Sequence, residues 1–196
     1  MTAPAWLLRL NKTPLTTRRL VIRPVAPGDD RFIYPAVRES LKELTPWLPW
    51  ASKNYDPKTC RAFVRAARRN YAAGRDYALA IFTRGGGYVG GTGFHVRGPA
   101  AERYYEIGYW CRTSRAGRGY VSEAVAALLR HAFRAPEVHR IEIRCDPRNR
   151  ASERVIVKSG LRKEGHLRKV MPDFAGRLRD QLVYAKVRGG TARSRR

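Results

Sequence analysis

The chain is predicted to be a mixed α/β domain, and four observations carry that prediction. Strand-like and helix-like runs follow one another as strands first, then helices interleaved with strands, with no internal repeat. A length of 196 residues with 43% apolar content suffices for one substantial core or two small ones. No break divides the order of elements, so one continuous domain over 1–187 is expected, with 188–196 as a basic flexible tail. Finally, the segment Ser114-Arg115-Ala116-Gly117-Arg118-Gly119-Tyr120-Val121-Ser122-Glu123-Ala124 passes directly from an extended run into a helical one.

Taken in order, Arg19 to Val25 forms a first strand ending at a proline, and Gly28-Asp29-Asp30 is a turn and helix start. A helix then runs from about Asp30 to Leu44, with Phe32, Ile33, Val37, Leu41 and Leu44 as its apolar stripe. Thr45 to Trp50, with its two prolines, is a loop. A second helix covers Pro57 to Ala73, with Asp56 or Thr59 at its cap and Gly74 just past its end. Tyr77 to Phe82 and Tyr88 to Val96 form a hairpin around Arg84-Gly85-Gly86-Gly87. The strand Tyr104 to Cys111 follows, then the glycine turn and a helix from Ser122 to about Arg134. His139 to Cys145 alternates as a strand should. A short helix, Ala151 to Ser159, stops at Gly160, and two strands near Leu161 to Lys169 and Arg179 to Val187 close the chain.

Composition narrows the class of partner. Forty Lys and Arg against 16 Asp and Glu give a net charge of +24, with arginine far outnumbering lysine. Such a field favours polyanions: nucleic acid, an anionic membrane, an acidic protein or a phosphorylated cofactor. The alternative is a solvated arginine-rich surface. Cys60, Cys111 and Cys145 are odd in number and widely spaced, which indicates neither a disulfide framework nor a zinc site and suits a reducing, cytoplasmic setting. The histidines at 95, 131, 139 and 166 show no metal-ligand spacing, so no metal is expected. Met1 to Leu10 is too short an apolar run for a signal sequence, and nothing approaches the ~18 apolar residues of a membrane span.

The glycine turn is the strongest local signal of chemistry. Without Cβ atoms at Gly117 and Gly119 an anion can approach the main chain closely, and the first amides of the following helix have no intrahelical acceptor. The partial positive charge of the helix terminus adds to this. Neither standard nucleotide loop fits: there is no G-x-x-x-x-G-K-[ST], and the third glycine of G-x-G-x-x-G would fall at Ser122. What remains is either a plain turn before a helix or a short cradle suited to a pyrophosphate held by backbone amides.

Tyr105-Glu106-Ile107-Gly108-Tyr109-Trp110, Gly117-x-Gly119, Glu123-Ala124, Asn149-x-x-Ser152 and Gly160-Leu161, in that order, resemble the GNAT superfamily of acetyl-CoA-dependent N-acetyltransferases. Trp47-Leu48-Pro49-Trp50 and Asp180-Gln181-Leu182-Val183-Tyr184 narrow the resemblance to its RimJ/RimL group, which acetylates protein N-termini, including those of ribosomal proteins. It covers about Leu15 to Val187. The resemblance implies a mixed, mostly antiparallel sheet of six to seven strands, splayed between the fourth and fifth, flanked by about four helices. Acetyl-CoA as co-substrate would lie in the opening. Its pantetheine arm would pair with the strand at Tyr109, Trp110 and Cys111, its pyrophosphate would sit on amides from Ala116 through Gly117, Arg118, Gly119, Tyr120 and Val121 to Ser122, and Asn149 would touch the arm. Arg118, Arg154 and Lys158 are candidates for the outer phosphate.

Acyl transfer to an amine needs a proton acceptor for the amine, donors for the oxyanion and an acid for the departing thiolate. On the resemblance, Glu106 is the base, through a water, or an anchor for the substrate ammonium; the plain alternative is an exposed strand glutamate. Ser152 is either the acid or simply a helix N-cap. Many superfamily members carry a tyrosine on this helix where the present chain has Ile156, which shifts weight to Ser152 or to unassisted thiolate release. Ser114-Arg115-Ala116 also departs from the family at the approach to the turn, leaving backbone amides as the main grip. Cys145, on an alternating strand, is expected to pack rather than react. Trp47 and Trp50 either line the acceptor groove or cap the core. The expected acceptor is a protein or peptide N-terminal amine, the alternative a small-molecule amine. A third reading is a ribosome- or RNA-associated binding protein, monomeric or homodimeric, on the same scaffold with little catalysis.

Overall fold

The computed structural model describes residues 4–98, 104–173 and 175–189. Helix α1 (Ala5–Lys12) precedes two strands, β1 (Leu15–Thr16) and β2 (Leu20–Pro24). Helices α2 (Asp30–Glu39), α3 (Leu41–Leu44) and α4 (Pro57–Ala72) follow, then three strands: β3 (Asp76–Thr83), β4 (Tyr88–Arg97) and β5 (Tyr104–Cys111). After a 3-10 turn at Thr113–Arg115 come α5 (Tyr120–Ala132), β6 (Arg140–Cys145), α6 (Arg150–Lys158), β7 (Arg162–Pro172) and β8 (Leu178–Val187). The strands form one eight-stranded sheet in the order β1-β2-β3-β4-β5-β6-β8-β7, antiparallel everywhere except between β5 and β6.

That parallel contact positions the site. Its register consists of Tyr105 opposite Ile141 and Glu106 opposite Glu142. Beyond it β5 continues to Cys111 and β6 to Cys145 without pairing to each other, so the sheet opens as a wedge between them. The expected splay is therefore present. It falls one strand later than the fourth because the two-residue β1 adds a strand at the front.

The two sheet faces bury different clusters. On one face α5 sets Ala124, Val125 and Leu128, all fully buried, against Ile22, Ile81, Phe94 and Ile107. On the other, Ile33 and Val37 of α2 and Val64 and Ala67 of α4 cover Ala80 and Phe82. Each fully buried Leu or Ile contributes on the order of 1.5–3 kcal/mol through removal of apolar area from water.

The structure corrects the sequence reading at several elements. There are eight strands rather than six or seven, and six α-helices among the described residues rather than about four. The run that is too short for a signal sequence is α1, an amphipathic helix that buries Trp6, Leu7 and Leu10. Trp6 packs edge-on to Phe94 and Tyr105, and the Leu7 carbonyl accepts from Tyr71 Oη at 2.6 Å. The single helix expected over Asp30 to Leu44 breaks at Ser40, whose Oγ donates to Ala36 O at 2.7 Å and accepts from Thr113 N at 2.9 Å. The first of these bonds competes with the helix ladder, and Pro35 removes a further donor from it. Helix α5 begins at Tyr120, two residues before the expected start, with Gly119 at its N-cap in the left-handed region. Asp56, rather than Thr59, caps α4, accepting from Thr59 N at 2.6 Å. Of the expected tail, Arg188 is held by the carbonyls of Phe133, Ala135 and Val138, and 190–196 lie outside the described residues.

Candidate active site

The glycine turn is built as an anion cradle. Gly117 and Gly119 sit at φ +74° and +73°, left-handed values that tilt successive amides toward one side of the chain. Among the described residues, the backbone N–H groups from Gly117 to Ser122 have no intrachain acceptor. Residues 116–119 are exposed, and α5, 13 residues long, starts immediately behind them. The approach to the turn is fixed by carboxylates from elsewhere in the chain. Glu39 accepts from Arg112 Nε at 2.6 Å and from Ser114 N at 2.7 Å, and Glu43 accepts from Thr113 Oγ1 at 3.1 Å. From below, Glu123 accepts from Thr17 Oγ1 and Arg19 Nε, both at 2.6 Å. Burial alone would raise the Glu123 carboxyl, but these hydrogen bonds outweigh it and hold the group below its ordinary value. Arg19 also donates to Arg118 O at 3.0 Å and lies 4.7 Å over the Tyr120 ring, placing a guanidinium against the cradle.

Two cavities meet in the wedge. One, of about 230 Å³, lies between β5 and β6 and is lined by Glu106, Arg144, Cys145, Asn149 and Trp47 among others. The other, of about 370 Å³, lies between the sheet and helices α2 and α4 and is lined by Trp50, Trp110, Asp76 and others. Leu48, His95, Gly108 and Tyr109 line both. Glu106 faces the junction with its Oε2 accepting from Arg97 Nε at 2.9 Å. Directly opposite it on β4, His95 holds Asp76 Oδ1 through Nδ1 at 2.5 Å. Its Nε2, without a partner among the described residues, hangs over Gly108, where an added Cβ would stand 2.6 Å from it. Beside Glu106 on β6, Glu142 is buried between Arg140 and Arg144.

At the far wall, Tyr109 Oη crosses the wedge to within 2.9 Å of Ser152 Oγ and 3.1 Å of Ser152 O. Burial drives the Tyr109 phenol far above its ordinary value, despite the opposing hydrogen bond from Ser152. Its proton is therefore retained across the working pH range. The N-cap of α6 is Asn149, whose Oδ1 accepts from Ser152 N at 3.0 Å, so Ser152 is not the cap. Burial raises the thiol of Cys145 to about 11, and the residue is 6% exposed; Cys111 is also raised to about 11. Neither is a ready nucleophile.

The acetyltransferase (GNAT) domain model matches residues 19–162. The chain belongs to the GNAT acetyltransferase family. It is 29% identical over 158 residues to the uncharacterized N-acetyltransferase YnaD of Bacillus subtilis, covering 81% of this chain and 88% of the relative. Over 183 residues it is 25% identical to a ribosomal-protein-serine acetyltransferase of Escherichia coli, covering 91% and 98%. Among solved structures, Mycobacterium smegmatis RimJ in complex with CoA-disulfide superposes with a TM-score of 0.77 at 28% identity, covering 86% of this chain and 82% of that one. The protein is thus a GNAT acetyltransferase with RimJ/RimL-type relatives.

Glu106, Tyr109, Cys145 and Asn149 line the smaller cavity and Tyr109 reaches Ser152, while Ala116 to Ser122 follow β5 in the chain at the start of α5. From Ile107 to Cys111 the β6-facing edge of β5 is unpaired, which leaves the backbone at Tyr109, Trp110 and Cys111 open to an extended arm. Trp47 lines the smaller cavity and Trp50 the larger, and Trp50 is 44% exposed. Arg154 and Lys158 are exposed on α6, whereas Arg19, which the sequence did not single out, contacts the turn. Nor does the sequence point to His95 and Asp76. Lack of metal spacing says nothing of a strand histidine oriented by a carboxylate, and only the β3–β4 register brings the two together. Ile156 of α6 is fully buried, and the tyrosine hydroxyl that reaches α6 comes from Tyr109 of β5, 2.9 Å from Ser152 Oγ. Among the described residues no group of His, Cys, Asp and Glu is arranged to hold a metal ion, and no helix is long and apolar enough to cross a membrane.

Proposed function

We propose that the protein is an acetyl-CoA-dependent N-acetyltransferase that acts on a primary amine, most naturally the α-amine of a protein or peptide N-terminus, by direct transfer within a ternary complex. The observation that carries this reading is the run of amides at Gly117 to Ser122 with no acceptor among the described residues, close in sequence to a wedge lined by Glu106, His95 and Tyr109. The cradle fits a pyrophosphate: it is exposed, positively polarised and flanked by Arg19. Acetyl-CoA supplies the activated acetyl thioester. Ribosomal-protein acetyltransferases among the relatives support a protein acceptor.

Each wall residue then has a role. Glu106, one oxygen held by Arg97, offers the other to the amine and anchors it. His95, oriented by Asp76, takes the proton the nitrogen sheds on Nε2. The demand on this base is modest, because an α-amine with a pKa of about 7.7–8.0 is partly neutral at pH 7 whereas a lysine near 10.4 is not. Ser152 gives its hydroxyl proton to the departing sulfur and regains one from solvent as the products leave, while Tyr109, which stays protonated, holds the serine Oγ at 2.9 Å. Asn149 keeps its amide nitrogen for the cofactor arm.

Calorimetry at low salt is expected to show saturable acetyl-CoA binding, and peptide-dependent thiol release should follow. Glu106→Gln and Ser152→Ala should slow turnover more than they weaken acetyl-CoA binding. Absence of acetyl-CoA affinity would show the reading to be wrong, and exclusive turnover of small amines would replace the peptide acceptor with a small-molecule one.

One observation favours an accessory contact with RNA or ribosomes. Arg61, Arg65, Arg68 and Arg69 form an exposed ridge on α4, and none of them pairs with a carboxylate among the described residues. Such a ridge would bring a ribosomal acceptor to the enzyme by electrostatic attraction.

A further inference from the structure

The cavity between the sheet and helices α2 and α4 has more shape than a generic amine requires. Its floor lacks side-chain bulk where β3, β4 and β5 cross it, at Ala78, Gly91 and Gly108. A Cβ on Gly91 would run into the Trp110 indole, so glycine there is what lets that ring lie across β4. The walls are aromatic. Trp110 packs against Trp50 with ring centroids 6.0 Å apart and against Tyr88 at 5.9 Å, and Trp50 meets Tyr55 at 6.1 Å. Trp50 and Phe63, 44% and 43% exposed, stand at the mouth and leave large apolar surface facing water.

The acid–base pair of the lining, Asp76 and His95, stands at one end. Asp76 and His95 satisfy each other and sit beside Gly108, where this cavity joins the wedge that holds Glu106. Tyr88 is buried, and burial holds its phenol neutral. A charged group pushed to the aromatic end would lose its water without gaining a partner, whereas an apolar group would exchange water for ring contacts.

We infer that the acceptor amine carries a large apolar group, aromatic or branched aliphatic, on the carbon next to its nitrogen, and that this group fills the cavity walled by Trp50, Trp110, Tyr55 and Phe63 while the nitrogen lies between Glu106 and His95. For a peptide acceptor, this means a first residue such as Phe or Leu rather than Ser, Ala or Glu. The inference rests on the N-acetyltransferase reading. The volume of about 370 Å³ lies within the range of small-molecule sites and accommodates one aromatic side chain.

The test is a series of hexapeptides identical except for first residues Phe, Leu, Ala, Ser and Glu, each assayed with acetyl-CoA for thiol release and N-acetylated product. The kcat/KM for Phe and Leu is expected to exceed that for Ala and Ser by roughly tenfold or more, the scale on which apolar pockets discriminate. Thr59→Trp, which introduces bulk from an exposed position of α4 lining the cavity, should collapse the Phe-to-Ala ratio toward one, chiefly through KM for the Phe peptide. Trp50→Ala, in an exposed loop, should do the same by removing a wall. Equal or better turnover of Ala and Ser peptides, or a ratio untouched by both substitutions, overturns the inference and leaves the acetyltransferase reading standing. Failure to acetylate any peptide or simple amine overturns that reading as well.

Discussion

Gly117 and Gly119 are needed for their conformation rather than for space. A Cβ at Gly117 would meet nothing within 4 Å, and one at Gly119 would be 3.5 Å from Arg19 Nη2, yet both residues occupy left-handed backbone that costs an L-residue about 1–2 kcal/mol. Gly117→Ala should therefore misalign the cradle and weaken acetyl-CoA binding by roughly fivefold to thirtyfold in calorimetry. Asp76 acts as a positioning residue, holding His95 in the tautomer that leaves Nε2 to accept a proton. Asp76→Asn should lower kcat about tenfold to a hundredfold while leaving acetyl-CoA affinity unchanged, within the usual contribution of a positioned base. In a double-mutant cycle, adding Asp76→Asn to His95→Gln should cost little more than His95→Gln alone. Independent, additive losses would separate the two residues.

The cradle is held at the scale of whole elements by two carboxylates on different helices, Glu39 of α2 and Glu123 of α5. Burial would raise Glu39, but the bonds from Ser114 and Arg112 keep it low, as those from Thr17 and Arg19 do for Glu123. A carboxyl depressed in the folded state stabilises the fold above its unfolded pKa of about 4.3 and loses that contribution as pH falls through its lower folded value. Melting temperatures measured from pH 6 downward should accordingly fall more steeply for the native chain than for Glu123→Gln, which starts less stable and has less to lose. Helix α1 gives a second test: Leu7 is fully buried, so Leu7→Ala should lower unfolding free energy by about 2–5 kcal/mol in urea titrations. Elements with strong local signals are legible in the sequence, among them β3 to β5, α4, α5 and the glycine turn. Helix α1 is not, because its short apolar run suggests only a failed leader until the sheet it packs against is known. Nor is the break at Ser40, which depends on Thr113, 73 residues away. The same holds for the site. Glu106, Ser152 and the turn lie in short motifs, but the Asp76–His95 and Tyr109–Ser152 pairs join residues 19 and 43 apart that only strand register and the splay bring together.

Over the whole molecule, a net charge of +24 acts at long range on any anionic partner. Retention on RNA should fall steeply between 50 and 200 mM salt, and replacing Arg61, Arg65, Arg68 and Arg69 by Gln should flatten that salt dependence, by about one slope unit for each phosphate that an arginine of the ridge neutralises. Acetyl transfer to a short peptide should survive this replacement, because the ridge lies apart from the wedge residues. The central claim concerns how the cradle and the wedge cooperate: the amide cradle holds acetyl-CoA so that its acetyl group meets an amine at Glu106, His95, Tyr109 and Ser152. It is tested most directly by mixing the pure protein with acetyl-CoA and a Phe-initiated peptide and quantifying free thiol and N-terminally acetylated peptide together. The expected result is one thiol per acetylated amine, with no thiol released when the peptide's α-amine is blocked. Thiol release independent of the amine, or no acetylated product at saturating acetyl-CoA, would contradict the account.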